Sequence, residues 1–469
     1  MRQFKLQPIA VGDARPRMTV RLIDSLATTE PLAQIFSDES VLQAMLDFES
    51  GLARAQAGMG LIPASAAATI TASAQSSNFD LAALANATLR AGTPGIPVVK
   101  ALTEHVRKQD PAAAGFVHWG ATSQDVADTA MSLLLKRSQI ILANDLLRLE
   151  KALARISEQH KDSVMLGRTL MQAAPPVTFG LKVAGWRGAI ERSSQRLNDS
   201  FGSATILQFG GASGTLAAVG GKGEELACTL AQEVGLANPE APWHTHRDRL
   251  ATMICACGVL TGSLGKMARD VSLLMQTEIA EVAEPGGEGR GGSSTMPHKR
   301  NPIACSLTLA AAQRVPGLVA SFLSAMIQEH ERGVGGWQAE WPIIASVVQS
   351  TGLAVASMAE VAEGLSIDPG RMRTNIDSVN GVIFAERAAM LLAPKLGRDV
   401  AHKILEGAAR KCVAQGRHLS EVLAEIPEVT AYMDQAALQK LEIPEEYLGT
   451  GENFRQALMA ADQDDEKEQ

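Results

Sequence analysis

Apolar residues recur at helical spacing along most of this chain, and the runs are unusually long. Residues 40–58 (SVLQAMLDFESGLARAQAG) carry them on one helix face, and Ile62-Pro63 then breaks the run. Residues 124–160 contain neither proline nor glycine. At 1.5 Å per residue that helix would be about 55 Å long. Thr122 or Ser123 is placed to cap it through a side-chain oxygen, and Asp125 suits the positive end of its dipole. Similar runs cover residues 176–198, 246–283 and 302–328. Strand signals are weak, with little alternation. The pattern predicts an all-α protein built on a long-helix bundle. Many of the helices are apolar almost all round, so bundles from several subunits are expected to pack together. Loop-rich places divide the chain into three helical domains: 1–110, a central bundle over 111–365, and 366–469, with Ile367-Asp-Pro-Gly370 opening the last. The charged tail 462–469 (DQDDEKEQ) reads as disordered.

Composition narrows the class. The 469 residues are 46% hydrophobic and 20% charged, enough for a large core. A net charge of −8 gives no basic footprint for nucleic acid. It does not exclude an acidic substrate, because a local cationic pocket can override the global sign. The five cysteines (Cys228, Cys255, Cys257, Cys305 and Cys412) sit mostly in apolar runs. That odd number reads as reduced thiols in a cytoplasmic protein. The N-terminus lacks a continuous apolar stretch, so no signal peptide is expected. Residues 303–327 are the most apolar, but Gln313, Arg314 and Pro316 interrupt them, which favours a buried helix over a membrane span. The glycines of 210–223 lack the spacing of a phosphate loop. His244-Thr-His246 has no ligand partner at helical spacing, so no metal is expected.

Residues 292–302 read Gly-Ser-Ser-Thr-Met-Pro-His-Lys-Arg-Asn-Pro, after the glycine-rich approach 284–292 (EPGGEGRGG). Two adjacent hydroxyls, a cation, an amide and glycine hinges suit an anionic substrate and a proton transfer. The blander alternative is a solvated turn or a serine helix cap. The string resembles the signature of the fumarase/aspartase superfamily, whose members make or break a bond β to a carboxylate. Two further segments fit that family in order and spacing: His118-Trp-Gly-Ala-Thr-Ser-Gln-Asp125 and Gly167-Arg-Thr-Leu-Met-Gln-Ala-Ala-Pro-Pro176. The resemblance implies the same three-domain architecture and a homotetramer whose sites draw these motifs from three subunits. It implies Ser293 as the proton-transferring residue, an activated hydroxyl, with Ser294 and Met296 beside it binding substrate. Lys299 and Asn301 would hold a substrate carboxylate. Thr122, Ser123 and Gln124 would form a second cradle at a helix N-terminus, and Gln172 would supply a substrate-binding amide. His118 either touches the substrate or is structural.

Two departures from the family are informative. The fumarase and adenylosuccinate lyase branches have a histidine in the second segment, serving the leaving group or the water; here it is Leu170. Fumarase-like members pair that histidine with a glutamate seven positions after the signature lysine; here it is Ser306. Expelling hydroxide or an amine needs a proton donor. A carboxylate needs none, because its conjugate acid has a pKa of about 4. An internal carboxylate adding across a double bond makes a lactone. The chain thus resembles the 3-carboxy-cis,cis-muconate cycloisomerase branch, whose reaction yields 4-carboxymuconolactone in protocatechuate breakdown by the β-ketoadipate pathway. His330-Glu-Arg-Gly-Val-Gly-Gly-Trp-Gln-Ala-Glu-Trp341 agrees. Trp337 and Trp341 stand where adenylosuccinate lyases bind a phosphate. Arg332 is retained and could hold one carboxylate of a tricarboxylate; Trp337 either lines the pocket or belongs to the core. The expected reaction needs no cofactor. Alternatives are lyases of the adenylosuccinate or nitrosuccinate type that release fumarate.

Overall fold

The computed structural model describes residues 22–287, 291–292, 296 and 299–460. The first long helix, α1 (Asp38–Gly58), begins where Ser37 accepts a hydrogen bond from the Ser40 amide, with Asp38 and Glu39 in the first turn. Five longer helices follow: α2 (Ser123–Gln159), α3 (Phe179–Ala204), α4 (Asp248–Leu274), α5 (Ile303–Ala325) and α6 (Gly336–Gly364). They pack side by side, α5 against α4 and α6, and α2 against α3 and α6. Their shared core includes Leu149, Phe179, Phe201, Leu260, Val315, Phe322 and Met358.

The helix expected over 124–160 is present with its boundaries moved by one residue. Residues 176–198 depart from expectation, because 164–178 fold as an antiparallel hairpin, β1 (Val164–Thr169) and β2 (Gln172–Thr178). Helix α3 starts only after Thr178, whose hydroxyl accepts from the Leu181 amide. The run 246–283 also ends early, at Leu274; Val282 and Ala283 pair instead with Ile367 and Ser366. Helix α6 forms although Gly336 and Pro342, which interrupt the helical pattern in the sequence, lie inside it.

Three main clusters of buried apolar side chains organise the molecule. The N-terminal one joins Leu46, Phe48 and Leu102 to Val126 and Leu134 of α2 and to Phe209 and Leu230, so its core reaches beyond the N-terminal stretch. The bundle holds the second. The third lies among α7 (Ala385–Leu396), α8 (Arg398–Gln415) and the short helices after them. The last helix, α9 (Gly451–Ala460), returns to α3, where Arg187 donates to the Leu458 carbonyl at 2.9 Å. By length and composition α4, α5 and α6 could each cross a membrane, yet here they pack on one another.

Candidate active site

The N-terminus of α2 is fixed by Asp125, which is fully buried. Its carboxylate accepts from the amides of Thr122 (3.1 Å), Gly210 (3.1 Å) and Gly211 (2.9 Å). His244 Nε2 lies 2.7 Å from the same group. One side chain therefore ties the helix start to the 210–212 loop. That loop needs its glycines: a Cβ on Gly210 would meet His244 at 2.7 Å, and Gly211 has φ +67° with the Gly120 carbonyl close by. Thr122 and Ser123, both half-buried, sit at the mouth of this turn.

One helical turn further, buried Asp128 accepts from Arg247 through both terminal nitrogens (2.8 and 3.1 Å) and from Trp337 Nε1 at 2.9 Å. Arg247 is 2% exposed and also pairs with Glu340 at 2.6 Å. Burial pushes the Glu340 carboxyl up to about 7 against the pull of Arg247. Trp337 is thus buried in the floor, edge-on to Trp341 with ring centroids 6.4 Å apart.

Gln124 is 2% exposed. Its amide nitrogen donates to Asp128 (3.0 Å) and to the His244 carbonyl (2.8 Å), and its oxygen accepts from Arg332 at 3.0 Å. Arg332 also donates to the carbonyls of Gly211 (2.6 Å) and Ala212 (3.0 Å). Burial lowers the guanidinium's pKa, and the charges of Asp125 and Asp128 oppose that shift. At the rim, His118 Nδ1 lies 2.6 Å from Glu49 Oε1. Burial alone would lower the imidazole's pKa; Glu49, helped by Asp125, outweighs it, and the net direction is up.

The other expected residues form two separate groups. Gln172 opens β2 beside the hairpin tip, where Leu170 and Met171 are 96% and 69% exposed. Lys299 and Met296 are exposed, and the Lys299 amide donates to the Met296 carbonyl at 3.0 Å. The Asn301 amide donates to Gly291 at 2.9 Å. Ser293 and Ser294 lie outside the described residues. Glu284 anchors the base of this segment by accepting from the Ala304 and Cys305 amides (3.1 and 2.8 Å) at the start of α5. Ser306 donates to the Pro302 carbonyl of its own helix at 2.7 Å. Among the described residues, no hydrogen bond links the hairpin tip or the 291–301 segment to the cradle at 118–128.

A profile described as "Lyase" matches residues 26–317, and one described as "Adenylosuccinate lyase C-terminus" matches residues 381–457. A Bradyrhizobium diazoefficiens protein named 3-carboxy-cis,cis-muconate cycloisomerase is 46% identical, over 93% of this chain and 97% of that protein. The chain belongs to the fumarase/aspartase superfamily of lyases. A Streptomyces davaonensis nitrosuccinate lyase is 41% identical, over 91% of this chain and 92% of its own. The crystal structure of the Pseudomonas putida 3-carboxy-cis,cis-muconate lactonizing enzyme superposes with a TM-score of 0.88 at 44% identity, covering 94% of this chain and 98% of that one.

Four residues of the candidate site carry little or no signal in the sequence: Glu49, Asp128, Arg247 and Glu340. Asp128 left one signal, a second carboxylate three residues after Asp125 in an otherwise apolar stretch, which puts both on one helix face. Arg247 and Glu340 lie far from it in sequence, and no spacing rule connects them.

Proposed function

We propose that this lyase converts 3-carboxy-cis,cis-muconate to 4-carboxymuconolactone, in the cytoplasm and without a cofactor. One carboxylate of the substrate attacks the conjugated double bond, and charge develops on the carboxylate beside the carbon that must gain a proton. Ser293 delivers that proton. Lys299 and Asn301 hold one carboxylate. Arg332, with the α2 N-terminus at Thr122 and Ser123, holds another. Gln172 contributes an amide, and His118 adds a positive charge at the rim. Gln124 and Trp337 serve the site from beneath.

One observation carries the reading. The position of the family's proton donor holds Leu170, exposed at an apolar tip, and the position of its partner glutamate holds Ser306, whose hydroxyl is engaged with its own helix. Carboxylate addition tolerates that loss. Nitrite is also a weakly basic leaving group, and the 41% identity to a nitrosuccinate lyase supports that second reading. The exposed apolar side chains of the bundle support a homotetramer with shared sites.

Ultraviolet assays separate the two reactions. Loss of the muconate diene absorbance is expected. Fumarate released from nitrosuccinate, with no muconate turnover, would replace this assignment by the second. Ser293→Ala is expected to lower kcat by about 10²–10⁴ in a folded protein; undiminished turnover would remove Ser293 from its role.

A further inference from the structure

We infer that Gln124 is a positioning residue: it touches no substrate and aims Arg332 by joining it to the buried Asp128–Arg247–Glu340 network. The inference rests on the proposed role of Arg332 in carboxylate binding. Sequence position suggested a direct contact for Gln124, because it follows Thr122 and Ser123 at a helix N-terminus. The geometry assigns its atoms otherwise. Its nitrogen is spent on Asp128 and the His244 carbonyl, its oxygen faces Arg332, and the side chain is 2% exposed.

An arginine on a loop carries several rotatable bonds, and ordering them when a ligand arrives weakens binding. Here the guanidinium is gripped from two directions. Gln124 holds one terminal nitrogen, and the carbonyls of Gly211 and Ala212 hold the other. Both grips trace back to α2. Asp125 fixes the Gly211 amide, and Asp128 fixes Gln124. Asp128 is itself immobilised by Arg247 and Trp337. A neutral amide is well chosen as the link. It passes on orientation while leaving the positive charge of Arg332 for the ligand, whereas a carboxylate there would neutralise it.

The test is a double-mutant cycle with Gln124→Met, Arg332→Ala and both together, assayed with 3-carboxy-cis,cis-muconate and by calorimetry with tricarballylate as an inert tricarboxylate. Gln124→Met alone is expected to raise KM and the tricarballylate Kd by about ten- to hundredfold, the scale of a hydrogen bond to a charged group, with a smaller change in kcat. In the Arg332→Ala background it is expected to add almost nothing. A full additional penalty there would overturn the inference, since Gln124 would then act independently of Arg332; so would an unchanged KM in Gln124→Met. Near-ultraviolet circular dichroism, to which Trp337 and Trp341 contribute with the other three tryptophans, reports whether tertiary packing is intact. Should Gln124→Met fail to fold, Gln124→Asn carries the same cycle, because the shorter amide keeps the polarity but cannot reach Asp128 and Arg332 together. If tricarballylate binding follows this pattern while muconate is not turned over, the functional reading falls and the inference stands. If the wild-type protein binds neither anion, both fall.

Discussion

His118 shows how much local cost this site absorbs. Its φ is +61°, a region that residues other than glycine adopt rarely, histidine more readily than most, and such a conformation persists where surrounding contacts over-determine it. The contact here is Glu49, buried and 2.6 Å away. The pair has a pH signature with a definite sign. The folded state holds the imidazole's proton more tightly than the unfolded chain, whose value is near 6.5. The stabilisation is therefore complete below that value and is lost as pH rises through the higher folded one. Glu49→Gln removes the cause. The His118 titration, followed by NMR, is expected to fall to or below 6.5, since only desolvation would then dominate. Substrate affinity is expected to weaken first at the alkaline side. An unmoved titration would show that Glu49 does not set the charge of this histidine.

At the scale of elements, the hairpin separates what a sequence can reveal from what it cannot. The long helices were readable because residues 124–160 lack any breaker and repeat their apolar positions. The hairpin was hidden because its strands carry Pro175 and Pro176, lack alternation and turn through Leu170 and Met171, both at positive φ without a glycine. Its motif was legible as chemistry, through Gln172 and Leu170, but not as a strand pair. The cradle behaves the same way: Thr122 and Arg332 stood out by motif, whereas Arg247 and Glu340 acquire meaning only once α2, α4 and α6 come together. Gly167 is the hairpin's weak point. A Cβ there would lie 2.4 Å from the Pro175 carbonyl oxygen, and the strand register shifts between Leu166 and Gly167. Gly167→Ala must push the strands apart and displace Gln172. A stability loss of about 1–3 kcal/mol is expected from such overpacking, read from the denaturant midpoint, together with a raised KM. A variant with native midpoint and KM would show that the hairpin adjusts freely.

For the molecule as a whole, a single chain leaves apolar surface where a finished fold would hide it. Ile140 and Leu147 on α2, Val259 on α4 and Leu323 on α5 are 62%, 49%, 51% and 43% exposed. Only 28% of the most apolar window of α5 is buried. Scattered apolar residues need no partner, but Val259 and Leu323 lie on two long helices that pack against each other, and apolar surface of that kind asks for a partner. The hairpin tip adds Leu170 at 96% exposure, next to the residue proposed to bind substrate. If this lyase assembles as the proposed homotetramer, the bare helices and the hairpin tip are covered in the same step. The site would then be complete only in the assembly, so stability and turnover should share one concentration dependence. Val259→Asp tests this, because its carboxylate meets water in an isolated chain and is stranded in a packed interface. The expected outcome is a smaller species by light scattering and a Tm that rises with protein concentration. Activity should fall in step with dissociation. A Val259→Asp protein that keeps its full mass and turnover at nanomolar dilution would mean that this face of α4 is solvent-exposed in the working enzyme.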